Sequence, residues 1–338
     1  MHNAQAQEKT EMAGEVVFGD RCLARSSAVR EVLPSGEQVD LRCDGHHAVV
    51  VEVSGGVRSY EVDGRPLLDG YGAGEMSTGG RGQILIPWPN RLRDGRYVFD
   101  GTAYQVPLSE PEKMNAIHGF VRWTSWRVAE RSEDSVIMEH TLHPRAGYPF
   151  TLHVSVLYRV SEDGLSSTVT ATNVGDRRCP YGMGVHPYLR VDADTVDPCR
   201  LEAPGASRLT QDDRGIPTGV ASVEGTEYDF RSRRRILGTQ LDTAYTDLHR
   251  EPTGRAWVRL WHPTEEHGVG LWMDERYPYY MLFTGDTLPE TQRRRRSIAV
   301  EPMTCAPNAF ASGAGLITLA PGESVVSSWG IAPLRPGS

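Results

Sequence analysis

Six Asp-Gly dipeptides, at 44–45, 63–64, 69–70, 94–95, 100–101 and 163–164, constrain this chain more than any other feature. Both residues tolerate the positive φ of a two-residue hairpin turn, so Asp-Gly between alternating apolar runs marks antiparallel strands. The flanks agree. "RYVFDGTAYQV" (96–106) predicts a hairpin, and "HAVVVEVSGGVRSYEV" (47–62) predicts strand, Ser-Gly-Gly turn, strand. "TLHVSVLYRV" (151–160) puts Leu152, Val154, Val156, Tyr158 and Val160 on one face. Residues 135–143 and 255–263 follow the same pattern. No long stretch carries a helical period, no internal repeat stands out and no linker divides the chain. The expected class is all-β, a large antiparallel β-sandwich. Residues 1–14 read as a disordered N-terminal lead-in and 15–338 as a single domain.

Charge narrows the partners. A formal net charge of −8 disfavours nucleic acid, which is bound through clustered Lys and Arg, and suits a small, neutral or weakly charged ligand. No run approaches the roughly 20 apolar residues that span a bilayer, and the polar start "MHNAQAQEKTEMAGE" lacks a signal-peptide core. No membrane partner is expected. Cys22, Cys43, Cys179, Cys199 and Cys305 are scattered and form no CxxC pair. That pattern predicts reduced thiols in a cytoplasmic protein, with neither a disulfide framework nor a zinc ribbon.

Several stretches could carry chemistry. In "RGQILIPWPNRLRDGRYVFDG" (81–101) an apolar strand runs into Pro-Trp-Pro and then Asn90-Arg91. The prolines set a rigid corner from which a polar pair can project into a cleft; pairing of Arg91 with a surface carboxylate is the plainer alternative. In "KMNAIHGFVRWTSW" (113–126) Gly119 after His118 permits close backbone approach, and Trp123 and Trp126 could stack on sugar faces. A core aromatic cluster with a bonded histidine reads equally from the same residues. "LDTAYTDL" (241–248) holds Asp242 and Asp247, each able to accept from two neighbouring hydroxyls or simply to serve a turn. "GVHPYLRV" places His186 between glycine and proline, and "VEPMTCAPNAF" places Glu301 between an apolar run and proline. Nucleophile-elbow, P-loop, Rossmann and HExxH patterns are absent. His46-His47 and "HTLH" (140–143) read as edge histidines, so no metal is expected. The basic runs 231–235 and 292–296 read as solvated loops, with a phosphate role open for the second.

Taken in order, "PNRLRDGRYVFDGTAYQV", "NAIHGFVRW", "GVHPYLRV", "LDTAYTDL" and "EPMTCAPNAF" resemble the aldose 1-epimerase (galactose mutarotase) family over roughly 35–335. The resemblance implies the galactose mutarotase-like supersandwich, an isomerase that needs no cofactor, and a sugar as small-molecule partner, in a monomer or homodimer. It implies His186 as catalytic acid and Glu301 as catalytic base. It implies Arg91, His118 and Asp242 as residues that hold the sugar, with Asn90 and Asn115 flanking them. Typical galactose enzymes carry Gly-Gly after the first histidine. Here the run is "HGFVRW", which is similar to the hexose-6-phosphate branch, whereas "PNRLRDGRY" is similar to the free-sugar enzymes.

Mutarotation removes a proton from the C1 hydroxyl and delivers one to the ring oxygen, so it needs a base and an acid, expected on different sides of the ring. Reference values make glutamate the ionised base and histidine the protonated acid. The leading expectation is a 1-epimerase of a free aldose. A hexose-6-phosphate 1-epimerase is the alternative, with Arg122 and the arginines of 293–296 at the site mouth. A carbohydrate-binding or regulatory protein without turnover is the reading from another class. A glycosidase would need two carboxylates about the scissile bond, and only Glu301 has a fitting context.

Overall fold

Three of the Asp-Gly pairs close two-residue hairpins with both residues at positive φ: Asp44-Gly45, Asp63-Gly64 and Asp100-Gly101. The structure, a computed structural model, describes residues 32–336. The expected lead-in over residues 1–14 lies outside them, as does Cys22. Asp94-Gly95 also has two positive φ values, but it redirects the chain between strands that pair elsewhere. At 163–164 the hairpin forms one residue earlier, because Gly164 already pairs with Ser161. Asp69-Gly70 is no turn: the Asp69 carboxylate is buried against Arg81, and ion pairing there overrides turn propensity.

Among the described residues, two large antiparallel sheets dominate. One has nine strands, in the order Arg127–Arg131, Ser135–Leu142, Leu152–Ser161, Gly164–Asn173, Ser324–Leu334, Gly268–Met273, Ala256–Trp261, Arg200–Glu202, Arg234–Arg235. Its first four strands are sequential neighbours, and the last long strand, Ser324–Leu334, returns to lie beside them. The other sheet, of eight strands, is centred on Ile298–Met303, flanked by Tyr279–Phe283 on one side and by the short strands Gly184–Val185 and Tyr188–Leu189 on the other. A four-stranded sheet begins with Gln38–Cys43. The only α-helix among the described residues is Ala309–Ser312.

The alternation read in 151–160 is realised: Leu152, Val154, Val156, Tyr158 and Val160 are all buried. They share one apolar core with Leu282, Ile298 and Val300 of the eight-stranded sheet, which makes the fold a large β-sandwich. Leu33–Ser338 forms one compact unit. No helix among the described residues is long and apolar enough to cross a membrane.

Candidate active site

Register places the two central groups. Gly184 pairs with Met303 and Tyr188 with Ala299, so the same antiparallel register sets His186 opposite Glu301. Pro187 interrupts the ladder between the two short strands, and its carbonyl still accepts from the Val300 amide at 3.0 Å. His186 Nε2 lies 3.3 Å from Glu301 Oε1, with both side chains buried. They are therefore side by side and not on opposite faces of a bound ring, as the sequence suggested. Tyr188 stacks on the imidazole at 5.0 Å between ring centres. Gly80 closes the other flank: its φ is +78°, and a Cβ there would lie 2.6 Å from His186 Cδ2.

The Pro-Trp-Pro corner delivers Asn90 and Arg91 as the sequence suggested. Asn90 adopts φ 54° and its Oδ1 accepts from the Arg91 amide at 2.8 Å. Arg91 is not a surface residue. Its guanidinium is clamped by Glu110, with Nε–Oε2 at 2.9 Å and Nη2–Oε1 at 3.0 Å, and Nη1 comes within 4.0 Å of Asp242. His118, at φ 64°, accepts the Asn90 amide proton on Nδ1 at 3.1 Å. Gly119 beneath it has no room for a side chain, since a Cβ would fall 2.1 Å from the Ile86 carbonyl oxygen.

These groups line a cleft of about 600 Å³, together with Trp123, Phe283 and the 77–80 loop. A hexose fits a volume of that order with room to spare. Asn115 does not face it. Its Nδ2 donates to Glu110 Oε2 at 3.0 Å and to the Arg214 carbonyl at 2.9 Å, so it braces the clamp from behind. Trp126 is likewise in the core, at 3% exposure, whereas Trp123 reaches the cleft at 47%. The 293–296 arginines are absent from the cleft lining: Arg293 and Arg296 face Asp69, Arg295 binds Asp197 and Asp286, and Arg294 donates to the Leu288 carbonyl. Sequence reasoning missed Glu110, Tyr188 and Gly80. The Gly79-Gly80 pair was a legible sign of close approach, and Tyr188 stands two residues after His186 in the same run; Glu110 carried no local signal.

Burial inverts the protonation expected from reference values. Desolvation pushes Glu301 up to about 8, with Asp242 adding to it and Arg91 opposing. Desolvation pushes His186 down to about 3, with Arg81 and Arg122 contributing. At neutral pH the empty pair thus carries one proton, on the carboxyl. Glu301 Oε2 and His186 Nδ1 have no hydrogen-bond partner among the described residues, a costly state for buried polar atoms. Burial, then His186, Arg122 and Arg91, hold His118 far below the ordinary imidazole value, so it is neutral. Burial works against the Glu110 charge, but hydrogen bonds from Arg91 and Asn115 outweigh it and keep that carboxyl below its ordinary value.

One ligand atom each from His118, His186 and Glu301 falls within 4.8 Å of the others, a grouping with no sequence spacing to announce it. The set does not suit a metal. A metal on His118 Nε2 needs the proton on Nδ1, where it would face the Asn90 N–H, donor against donor. The tautomer that the backbone selects carries its proton on Nε2, where it can donate to a ligand.

A family model described as aldose 1-epimerase matches residues 37–331. The uncharacterized protein YihR of Escherichia coli (strain K12) is 32% identical over 291 residues, covering 86% of this chain and 91% of its own. The aldose 1-epimerase of the same organism is 31% identical over 162 residues, 46% of each chain. A solved aldose epimerase homologue from C. elegans superposes with a TM-score of 0.78 at 19% identity, over 88% of this chain and 99% of its own. A putative aldose 1-epimerase from Escherichia coli K12 gives 0.76 at 22% identity, over 88% and 99%.

Proposed function

The chain belongs to the aldose 1-epimerase family, and we propose that its cleft interconverts the α and β anomers of a free aldose of the glucose or galactose type. One observation carries the reading: a buried carboxyl and imidazole, 3.3 Å apart, in a sugar-sized cleft. The C1 hydroxyl and the ring oxygen are both bonded to C1, so the acid and the base that serve them should be neighbours.

Glu301 Oε2, lacking a partner, accepts from the C1 hydroxyl. That hydrogen bond and nearby Arg91 favour the carboxylate, and the pair's proton passes to His186 Nε2. Glu301 then takes the hydroxyl proton as C1=O forms, while His186 protonates the ring oxygen as its bond to C1 breaks. The pair is left with a neutral imidazole and a protonated carboxyl, the state burial favours. Rotation about C1–C2 and the reverse transfers close the ring on its other face. The His118 Nε2–H, Arg91, Asp242 and Asn90 hold the remaining hydroxyls. A cytoplasmic setting fits the unpaired thiols Cys43, Cys179, Cys199 and Cys305.

A second reading, an epimerase of an anionic sugar such as a hexose 6-phosphate, is favoured by Arg122. This guanidinium lines the cleft beside Trp123, 5.5 Å from its ring centre, with no carboxylate partner among the described residues. Polarimetry of freshly dissolved α-glucose, α-galactose and glucose 6-phosphate decides. Acceleration of the free sugars supports the first reading. A larger kcat/KM for the phosphate that falls with salt and collapses in Arg122→Gln supports the second. Saturable sugar binding with no acceleration of any of the three would make this a carbohydrate-binding protein.

A further inference from the structure

Arg293 and Arg296, outside the cleft, gather with Arg81 around Asp69. Its Oδ1 faces Arg293 Nη1 and Arg296 Nε, both at 3.4 Å, and its Oδ2 faces Arg81 at 3.4 Å and the Ser297 hydroxyl at 3.1 Å. Every one of those guanidinium contacts is longer than the roughly 2.7–2.9 Å of a charge-assisted hydrogen bond. One buried carboxylate is therefore shared among three cations and saturates none of them. Arg293 also donates to the Gly70 carbonyl at 2.9 Å and reaches the exposed Glu75 at 3.5 Å. Arg296 makes no other side-chain hydrogen bond or ion pair among the described residues, and the Arg190 guanidinium makes none. Arg190, Arg293 and Arg296 line one cavity of about 290 Å³ outside the catalytic cleft. Glu61, the other acid lining it, is engaged with His47 at 3.4 Å.

We propose that this cavity is a binding site for a small oxyanion of the phosphate type, held by the guanidinium groups of Arg190 and Arg296 with Arg293 behind them. A chain of net charge −8 that sets three arginines against one buried carboxylate, with Arg190 lining the same cavity, has made a local positive site against its own average. Guanidinium forks match the oxygen spacing of phosphate, and Arg190 has all its donors free to offer. The shared chemistry is a phosphate group, free or as a monoester.

The test is calorimetric titration of the full chain with inorganic phosphate at ionic strength held constant with sodium chloride. The wild type should show saturable one-to-one binding. Arg190→Gln and Arg296→Gln should each weaken it at least about tenfold while keeping the wild-type thermal transition. Arg122→Gln, in the separate cleft, should leave it unchanged. Glycerol phosphate in place of phosphate separates the sources: tighter binding of the ester that is lost in Arg190→Gln assigns a monoester, and tighter binding of the free ion assigns inorganic phosphate. No saturable heat in the wild type, unchanged affinity in both groove variants, or loss of binding in Arg122→Gln would overturn the assignment.

Discussion

Two interior strands show how differently one fold can use buried positions. Leu152–Ser161 alternates buried with partly exposed residues along its length, and each buried one is apolar. Ile298–Met303 is buried at all six positions, and one of them is Glu301. The first strand is held by ten paired residues against Gly164–Asn173 and has no buried charge. The second carries a carboxyl whose Oε2 is unpaired, beside an imidazole with an unpaired Nδ1. A buried polar group without a partner costs on the order of 1–3 kcal/mol. Of the two strands compared, only Ile298–Met303 carries that cost, and it carries it in the cleft.

The sharpest break of the comparison is Glu301→Gln, which keeps shape and removes the base. Acid–base groups typically contribute about 10²–10⁴-fold, so kcat should fall at least about a hundredfold by polarimetry. Stability should move the other way. Burial raises Glu301 to about 8 in the folded state, so its contribution is fully present below the unfolded carboxyl value and is lost as pH rises toward 8. The amide suffers no such loss. The variant's Tm should therefore gain on the wild type between about pH 5 and pH 8. A Tm gap that stays constant over that range would refute the burial argument, and near-wild-type turnover would refute the role.

On the alternating strand the expectation reverses. Leu152→Ala removes a fully buried side chain between Leu142 and Asn173 in the ladder. It should cost about 2–5 kcal/mol in denaturant unfolding with kcat and KM unchanged. A large change in kcat would mean that the two regions are coupled and that the contrast is false.

The same contrast explains what was legible beforehand. Alternation and Asp-Gly turns depend on near neighbours, so the strand at 151–160 and the hairpin at 96–106 could be read directly. His186 and Glu301 were legible through motif resemblance, because register sets them across adjacent strands whose local sequences are distinctive. Their protonation was not, because reference pKa values hold in water and desolvation is a property of the packed core. Asn115 looked like a ligand-facing residue, yet its amide is consumed by Glu110 and Arg214, groups far from it or silent in the sequence. The 293–296 run looked solvated because nothing in it announces Asp69, more than two hundred residues away.

A smaller effect is expected at the clamp. Glu110→Gln keeps one hydrogen bond to Arg91 and removes the charge that fixes it in bidentate geometry. Arg91 should then drift toward Asp242, now 4.0 Å away, and spoil the hydroxyl contacts of both. KM should rise about tenfold with a lesser change in kcat, since charge-assisted pairs contribute on the order of 1.5–3 kcal/mol. A matching fall in kcat with KM unchanged would place Glu110 in the chemistry and out of sugar positioning.

The gentlest test is the pH profile, which needs no substitution. If both groups kept reference values, the free enzyme would hold one charge of each kind only between about pH 4.3 and 6.5, and kcat/KM would decline above that window. The buried pair behaves otherwise. It gains a second proton only near the depressed His186 value of about 3, and it loses its one proton only near the raised Glu301 value of about 8. Above that point no acid remains to protonate the ring oxygen, so the rate must fall and not rise. With the spontaneous mutarotation subtracted at each pH, the profile of kcat/KM should be flat from about pH 5 to 7.5 and then drop, approaching tenfold per pH unit. Loss should be only a few-fold at about pH 8.5. A decline that begins near pH 6.5 would show that the cleft admits enough water to restore the ordinary imidazole value, and would remove the burial that distinguishes Ile298–Met303 from the strand at Leu152–Ser161.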